Sequence, residues 1–218
     1  MSSKGILLSL FIVINFSVVS AQPFKEDIDN FKKQDSIKPP PQHAILFVGS
    51  SSFTKWKDVQ DYFPGYTIIN RGFGGSSLPD VIRYANDIII PYHPKQLVIY
   101  CGDNDFAASD TVTAQIVLDR FKKLFSIIRK KLPAANIVYI SIKPSPSRAR
   151  LMAKGEEANN SIKNFLAKQK NTSFVDVYHL MLGENGRPLP SIFLADSLHM
   201  NANGYAIWKK AIEPHLKK

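Results

Sequence analysis

Five short apolar runs, separated by segments with helical periodicity, determine what this chain can fold into. The runs span residues 44–48, 66–69, 96–100, 136–140 and 174–177, and no internal repeat relates them. Strands that alternate with helices along a chain pair in parallel, and the helices then cover both faces of the sheet. The connections between such strands are right-handed. We therefore expect an α/β protein with a five-stranded parallel sheet.

The first 21 residues differ in character from the rest of the chain. Lys4 lies in a short polar start, residues 5–19 are almost wholly apolar, and Val19-Ser20-Ala21 offers small residues for cleavage. This pattern is typical of a secretory signal peptide, and its apolar part is short for a membrane span. We expect an exported protein, periplasmic or secreted, without stable membrane insertion after signal cleavage. An uncleaved N-terminal anchor is the alternative.

A polar segment, residues 22–43, separates the predicted signal peptide, residues 1–21, from the first apolar run. It ends in Pro39-Pro40-Pro41, which excludes a central strand. We expect a lead-in segment with a short helix near residues 26–33. Residues 44–218 have the length of one domain with a sizeable core.

The composition narrows the choice of partners. The formal net charge is +10, and the excess is spread along the chain as pairs of lysines. Such pairs are typical of solvated helix faces, and export argues against nucleic acid as a partner. Cys101 is the only cysteine, which excludes an intrachain disulfide. Because it ends an apolar run, we expect it to be a buried thiol.

Three of the apolar runs end in small or polar residues. The first leads into Gly49-Ser50-Ser51-Ser52, the second into a loop with glycines at 72, 74 and 75, and the third into Asn104. Open α/β sheets bind ligands at the C-terminal ends of their strands, so these groups should meet at one edge. Glycine lets backbone approach a ligand closely, whereas serine after a strand also simply caps the next helix.

Two Asp-x-x-His pairs lie further along the chain: Asp176 with His179, and Asp196 with His199. A serine hydroxyl needs an adjacent base to attack an ester, and imidazole, with an unperturbed pKa of about 6.5, suits that role. A carboxylate is needed to fix the tautomer of the imidazole. In either pair the spacing lets both side chains meet on one turn. For Asp176, at the end of a strand, the alternative is capping of the next turn.

Four stretches, in order, resemble the four sequence blocks of the SGNH hydrolases, also called GDSL-like lipases and acylhydrolases. They are Gly49-Ser50-Ser51, residues 70–75, Gly102-Asp103-Asn104-Asp105 and Asp196-Ser197-Leu198-His199, and the resemblance covers residues 44–216. It implies a flavodoxin-like three-layer α/β/α sandwich. It also implies a serine hydrolase that acts on carboxylic ester bonds without a metal or an organic cofactor.

Carried over residue by residue, the resemblance makes Ser51 the nucleophile, His199 the base and Asp196 its orienting partner. The backbone amides of Ser51 and Gly75 and the side-chain amide of Asn104 would form the oxyanion hole. These donors stabilise the negative charge that develops on the substrate oxygen. Asp196 and His199 are preferred to the second Asp-x-x-His pair because the residues that follow them also match the fourth block.

One departure from the family pattern concerns the first block. The family usually has Asp before the nucleophile, and Ser50 occupies that position here. Ser50 keeps a hydrogen-bonding side chain without charge, so we expect altered anchoring of the loop rather than lost chemistry. Ser50 and Ser52 are the rival candidates for the nucleophile.

Charged residues beside the strand ends have alternative interpretations. Arg71 and Arg148 are expected either to line the substrate entrance or to face solvent in plain loops. Asp103 and Asp105 flank Asn104, but no His or third carboxylate falls at a spacing that would support a metal site. We expect no metal.

The residues and the resemblance together predict an exported serine esterase. Its partner would be a small acyl ester or an acylated glycan. No lid segment is evident in the sequence, so short acyl groups such as acetyl, carried on carbohydrate, are preferred over long lipid chains. The alternatives are an acyltransferase that uses the same site, and a glycan-binding module without turnover.

Overall fold

The computed structural model describes residues 22–218, and the predicted signal peptide, residues 1–21, lies outside them. Five parallel strands form one sheet: β1 (Ile45–Gly49), β2 (Ile68–Gly72), β3 (Gln96–Tyr100), β4 (Asn136–Ile140) and β5 (Thr172–Val175). Their order in the sheet is β2-β1-β3-β4-β5. This is the flavodoxin-like order. The predicted α/β fold with a five-stranded parallel sheet is confirmed.

Helices connect the strands. The α-helices are α1 (Lys25–Ile37), α2 (Ser51–Thr54), α3 (Val59–Tyr62), α4 (Leu78–Ile88), α5 (Asp103–Ala108), α6 (Ala114–Lys131), α7 (Met152–Leu166) and α8 (Ala202–Ile212). Short 3₁₀ helices lie at Ile90–Tyr92, Pro146–Leu151, His179–Met181, Pro190–Ile192 and Glu213–His215.

The sheet separates two hydrophobic clusters. Along β1, Leu46 and Val48 point to the cluster formed with α1, α4, α6 and α7, whereas Ile45 and Phe47 point to the cluster formed with α2, α3 and α8. All five residues of β1 are buried. Parallel strands covered on both faces read as continuous apolar runs, which is why β1, β3 and β4 were visible in the sequence.

The edge strand β2 differs from its prediction. It was expected at residues 66–69, but it extends through Asn70 and Arg71 to Gly72. These residues pair with Phe47, Val48 and Gly49 of β1. Hydrogen bonds of the parallel ladder, rather than side-chain polarity, decide where this strand ends. Two short helices, α2 and α3, follow β1.

The lead-in segment packs on the domain through α1. Ile28 is buried in the core, and Asp35 forms an ion pair with Arg71 and accepts a hydrogen bond from the hydroxyl of Tyr92. The guanidinium of Arg71 also lies over the ring of Phe31, 5.0 Å from its centroid. Arg71 therefore holds α1 against the sheet. The expectation that it lines a substrate entrance or faces solvent is wrong, because its side chain is enclosed by its partners.

Across residues 22–218, none of the helices combines the length and the apolar character needed to cross a bilayer.

Candidate active site

A sharp turn at the end of β1 presents Ser51 as the first residue of α2. Gly49 has a φ of +148°, and a Cβ at this position would lie 1.8 Å from the carbonyl oxygen of Tyr100. Only glycine fits so close a crossing. The amide of Ser50 donates to the same carbonyl at 3.1 Å. The chain thus leaves the sheet at once, and the Ser51 hydroxyl lies at the C-terminal edge of the strands.

The loop before α8 brings Asp196 and His199 to this serine. One carboxylate oxygen of Asp196 accepts hydrogen bonds from the backbone amides of Leu198 at 3.0 Å and His199 at 2.9 Å. The other lies 2.6 Å from Nδ1 of His199. Nε2 of His199 lies 3.0 Å from Oγ of Ser51. The structure therefore joins the three predicted catalytic side chains in one chain of hydrogen bonds.

The electrostatics of this chain suit proton transfer. Hydrogen bonds from the His199 side chain, and then from the backbone amides of His199 and Leu198, hold the pKa of Asp196 well below its ordinary value. An ionised Asp196 only accepts, so Nδ1 of His199 carries the proton. Nε2 is then the acceptor that faces the Ser51 hydroxyl, which is the tautomer that a general base requires.

Aromatic packing holds α8, and with it the His199 loop, against α2. The rings of Trp208 and Phe53 meet edge to face with centroids 6.1 Å apart. The hydroxyl of Tyr205 donates to the carbonyl of Ser52 at 2.8 Å. Asn201 caps the start of α8 through its side chain. An aromatic pair contributes about 0.5–1.5 kcal/mol beyond its buried area. These contacts fix the distance between the base and the nucleophile.

The loop after β2 passes directly beside Ser51. A Cβ placed on Gly74 would lie 4.0 Å from the Cβ of Ser51, and Gly75 adopts a φ of +85°. The buried Ser76 fastens the loop by donating from its hydroxyl to the Gly49 carbonyl at 3.2 Å. Within residues 22–218, the backbone amides of Ser51 and Gly75 donate to no other group. Both N–H groups are therefore available to a ligand.

Asn104, the second residue of α5, adds a third donor. Its Nδ2 donates to the carbonyl of Ser76 at 2.9 Å, and its Oδ1 accepts from Nη2 of Arg148 at 2.9 Å. A side-chain amide nitrogen carries two hydrogens, so one remains for a ligand. The amides of Ser51, Gly75 and Asn104 thus supply three unused N–H donors from three different strand ends.

The acidic residues on either side of Asn104 support the loops. Asp105 is fully buried and accepts from the amide of Leu78 at 2.9 Å and from Arg120 at 2.7 Å. Burial raises the pKa of Asp105, and these two donors oppose the rise. Asp103 pairs with Arg148. Among residues 22–218, no three His, Cys, Asp or Glu side chains are grouped so that they could hold a metal ion.

Arg148 lies beside the site, but its guanidinium points into the protein. Nη2 donates to Asn104, and Nη1 lies 2.8 Å from the carboxylate of Asp103, with its N–H bonds not aimed at that oxygen. The side chain is 19% exposed. Arg148 was expected to line the substrate entrance or to face solvent. Its guanidinium instead contacts Asn104 and Asp103. No local sequence pattern indicates the contact with Asn104, because it joins residues 44 positions apart.

The rival residues occupy different environments. The side chains of Ser50 and Ser52 are buried, whereas Ser51 is partly accessible. In the second Asp-x-x-His pair, Nδ1 of His179 lies 2.7 Å from Asp176, and its Nε2 lies 3.6 Å from a carboxylate oxygen of Glu156. His179 is 59% exposed. This pair therefore faces a second acid rather than a serine.

A cavity of about 960 Å³ lies along the 3₁₀ helix Pro146–Leu151, and the described residues that line it do not include Ser51, Asp196 or His199. Its walls combine apolar groups, among them Pro146 and Leu189, with the charged Arg187. The amide of Ser147 in this helix donates to the carbonyl of Ser197, in the His199 loop, at 3.1 Å. One short helix is therefore shared between the wall of the cavity and the loop that carries the base.

The chain is similar in sequence to known proteins. A sequence model of the GDSL-like Lipase/Acylhydrolase family matches residues 44–207. The chain is also 25% identical over 178 residues to the N-acylneuraminate cytidylyltransferase of Escherichia coli O18:K1:H7. That match covers 79% of this chain, and the chain spans 40% of the length of that relative.

Solved structures share the fold. A Streptococcus pneumonia protein named for platelet activating factor superposes with a TM-score of 0.76 at 20% identity, over 88% of this chain and 92% of that chain. A GDSL-like lipase from Bacteroides thetaiotaomicron gives 0.72 at 20% identity, over 86% and 96%. A family 3 carbohydrate esterase from Talaromyces cellulolyticus gives 0.61 at 15% identity, over 78% and 94%.

Proposed function

This chain belongs to the GDSL-like lipase/acylhydrolase family, and from that premise we propose that it is a serine esterase that cleaves short acyl esters through an acyl-Ser51 intermediate. The observation that carries the proposal is the 3.0 Å contact between Nε2 of His199 and Oγ of Ser51, continued at 2.6 Å to Asp196. A hydroxyl with a base within 2.6–3.2 Å, and a third group orienting the base, is the arrangement of nucleophilic catalysis.

The geometry supports a two-step reaction. Oγ of Ser51 attacks the ester carbonyl while Nε2 of His199 takes its proton, and the carbonyl oxygen gains negative charge. The free amides of Ser51, Gly75 and Asn104 are the donors for that charge. As the C–O bond breaks, the proton passes from His199 to the departing alcohol. A water, deprotonated by His199, then attacks the acyl-Ser51 carbonyl. The bond between the acyl carbon and Oγ of Ser51 breaks, the proton returns from His199 to Oγ, and the acid and the free serine are released.

For the substrate, we propose a short acyl group, such as acetyl, carried on carbohydrate. The cavity beside the His199 loop supports this, because its mixed lining of prolines and charged side chains suits a hydroxylated alcohol part. Two of the similar proteins have names that concern sugars: the family 3 carbohydrate esterase and the N-acylneuraminate cytidylyltransferase. The predicted signal peptide would carry this activity out of the cytoplasm.

A screen of esters tests the proposal. The purified chain is assayed on p-nitrophenyl esters of graded acyl length and on acetylated sugars, and it is treated with a fluorophosphonate probe. We expect acetyl to be turned over fastest and the probe to label Ser51. Absence of both turnover and labelling would refute the esterase and favour the glycan-binding module. Transfer of the acyl group to an added sugar at a rate above that of hydrolysis would favour the acyltransferase.

The alcohol site is tested separately with Arg187→Ala. We expect this variant to raise KM for acetylated sugars and to leave KM for p-nitrophenyl acetate unchanged, since the p-nitrophenyl group has no hydroxyl group for Arg187 to bind. Equal effects on both substrates would refute the assignment of the cavity to the alcohol part.

A further inference from the structure

The guanidinium of Arg148 lies between Asn104 and Asp103. From its contacts we propose that Arg148 is a positioning residue, which fixes the orientation of the Asn104 amide and thereby aims one of its N–H bonds at the substrate oxygen. The proposal rests on the esterase function proposed above.

The two contacts of Asn104 determine which way its amide points. Arg148 can only donate, so the Asn104 atom 2.9 Å from its Nη2 must be the oxygen, Oδ1. The carbonyl of Ser76 can only accept, so the atom 2.9 Å from it must be Nδ2. If the Asn104 amide were flipped, its Nδ2 would face the donor Nη2 of Arg148 and its Oδ1 would face the carbonyl oxygen of Ser76, and neither hydrogen bond could form. The two partners together therefore select one of the two amide orientations.

Arg148 is itself held in place by Asp103 and Ser145. Its Nη1 lies 2.8 Å from Asp103, and its backbone amide donates to the carbonyl of Ser145 at 3.1 Å. The buried Lys143 lies 3.9 Å from the same carboxylate of Asp103. Asp103 thus sits between two cations. The guanidinium of Arg148 donates a hydrogen bond to the Asn104 amide through Nη2 while its charge lies against the Asp103 carboxylate, and the compact ammonium of a lysine could not reach both groups as well.

The hydrogen bond from Arg148 to Asn104 also affects how well Asn104 stabilises the negative charge that develops on the substrate oxygen. A hydrogen bond donated to Oδ1 polarises the Asn104 amide and makes its remaining N–H a stronger donor, because linked hydrogen bonds reinforce one another. Arg148 acts through Asn104 in this arrangement. Its removal should therefore lower kcat, whereas KM should change little.

The experiment is a double-mutant cycle on the full chain. Arg148→Met, Asn104→Ala and the double variant are assayed on the best ester of the screen, with Arg150→Met as the matched control. Arg150 lies on the same 3₁₀ helix, and its side chain is exposed and paired only with the exposed Asp110. Thermal unfolding confirms that each variant is folded. We expect Asn104→Ala to lower kcat by about 10²–10³, and Arg148→Met by about tenfold to a hundredfold.

The decisive quantity is the loss in the double variant. If Arg148 acts through Asn104, the double variant should be no slower than Asn104→Ala alone, and Arg150→Met should match the wild type. Losses that multiply, or a rise in KM with unchanged kcat for Arg148→Met, would overturn the proposal, since either result means that Arg148 acts independently of Asn104. Arg148→Lys, which keeps one donor for Oδ1, should recover part of kcat; no recovery would count against the proposal.

Two further outcomes remain interpretable. If Arg148→Met does not fold, Arg148→Lys replaces it in the cycle. The proposal then requires that kcat of the double variant Asn104→Ala/Arg148→Lys be no lower than that of Asn104→Ala alone. If the wild-type chain hydrolyses none of the esters, the proposed function is refuted and the role of Arg148 falls with it. An active wild type with multiplied losses refutes the role of Arg148 alone.

Discussion

Nε2 of His199 lies 3.0 Å from Oγ of Ser51, although the two residues are 148 positions apart in the chain. Both side chains stand at the start of a helix or just before one, and the two helices, α2 and α8, pack against each other through aromatic rings. The contact therefore depends on the packing of α8 against α2. Substitutions in that interface should lower catalytic activity even where the sheet stays folded.

Replacement of the nucleophile should remove activity without unfolding the protein. We expect Ser51→Ala to lower kcat by about 10⁶, the loss typical of a serine nucleophile. The hydroxyl of Ser51 is hydrogen-bonded only to His199 in the described chain, so the melting temperature should hardly change. Kinetics with p-nitrophenyl acetate and a thermal melt measure the two effects. Hydrolysis at the wild-type rate would transfer the role to Ser50 or Ser52.

The two histidines with the same spacing should behave differently. His199→Ala removes the base that faces Ser51, and we expect kcat to fall by a factor of at least about 10⁴. His179→Ala is the matched control, because His179 also pairs with an aspartate but faces Glu156. It should keep full activity. Equal losses in the two variants would show that the Asp196 pair is not the working one.

The turn at Gly49 should be intolerant of any side chain. In Gly49→Ala the methyl group would meet the carbonyl oxygen of Tyr100, and the φ of +148° disfavours alanine. We expect the free energy of unfolding to fall by at least about 3 kcal/mol. Gly65→Ala is the control, since a Cβ there meets nothing within 4 Å. Chemical denaturation of both variants gives the comparison, and similar midpoints would contradict the prediction.

Lys143 should make stability depend on pH in the alkaline range. Burial lowers its pKa below the ordinary value of 10.5, the carboxylates of Asp103 and Asp196 oppose that shift, and Arg148 adds to it. Between the folded pKa and 10.5 the unfolded chain binds more protons than the folded chain, so this residue's contribution to stability rises with pH.

Lys143→Met removes that contribution. The free energy of unfolding of the wild type minus that of Lys143→Met should therefore increase as the pH is raised toward 10.5, by at most about 1.4 kcal/mol per pH unit. Urea denaturation at several pH values measures it, with the exposed Lys168→Met as control. A difference that falls with pH, or that follows the control, would contradict the prediction.

The sequence by itself determined that the fold is a five-stranded parallel sheet and where its central strands lie. Residues 96–100 and 136–140 were predicted as strands and are β3 and β4, because a strand buried on both faces is apolar along its whole length and can be recognised locally. Gly49 ends β1, and Gly74, Gly75 and Asn104 come soon after strands, so these residues could be located for the same local reason. Since parallel strands end at one edge, their meeting there could be expected without coordinates.

The tertiary structure alone decided which side chains meet. Asp176–His179 and Asp196–His199 have the same spacing, and only the docking of α8 on α2 shows which pair lies beside a serine. Arg71 lies in β2 and Arg148 follows β4, yet the first holds α1 and the second holds Asn104. The direction of a long side chain depends on partners distant in the chain, and no local pattern of residues carries that information.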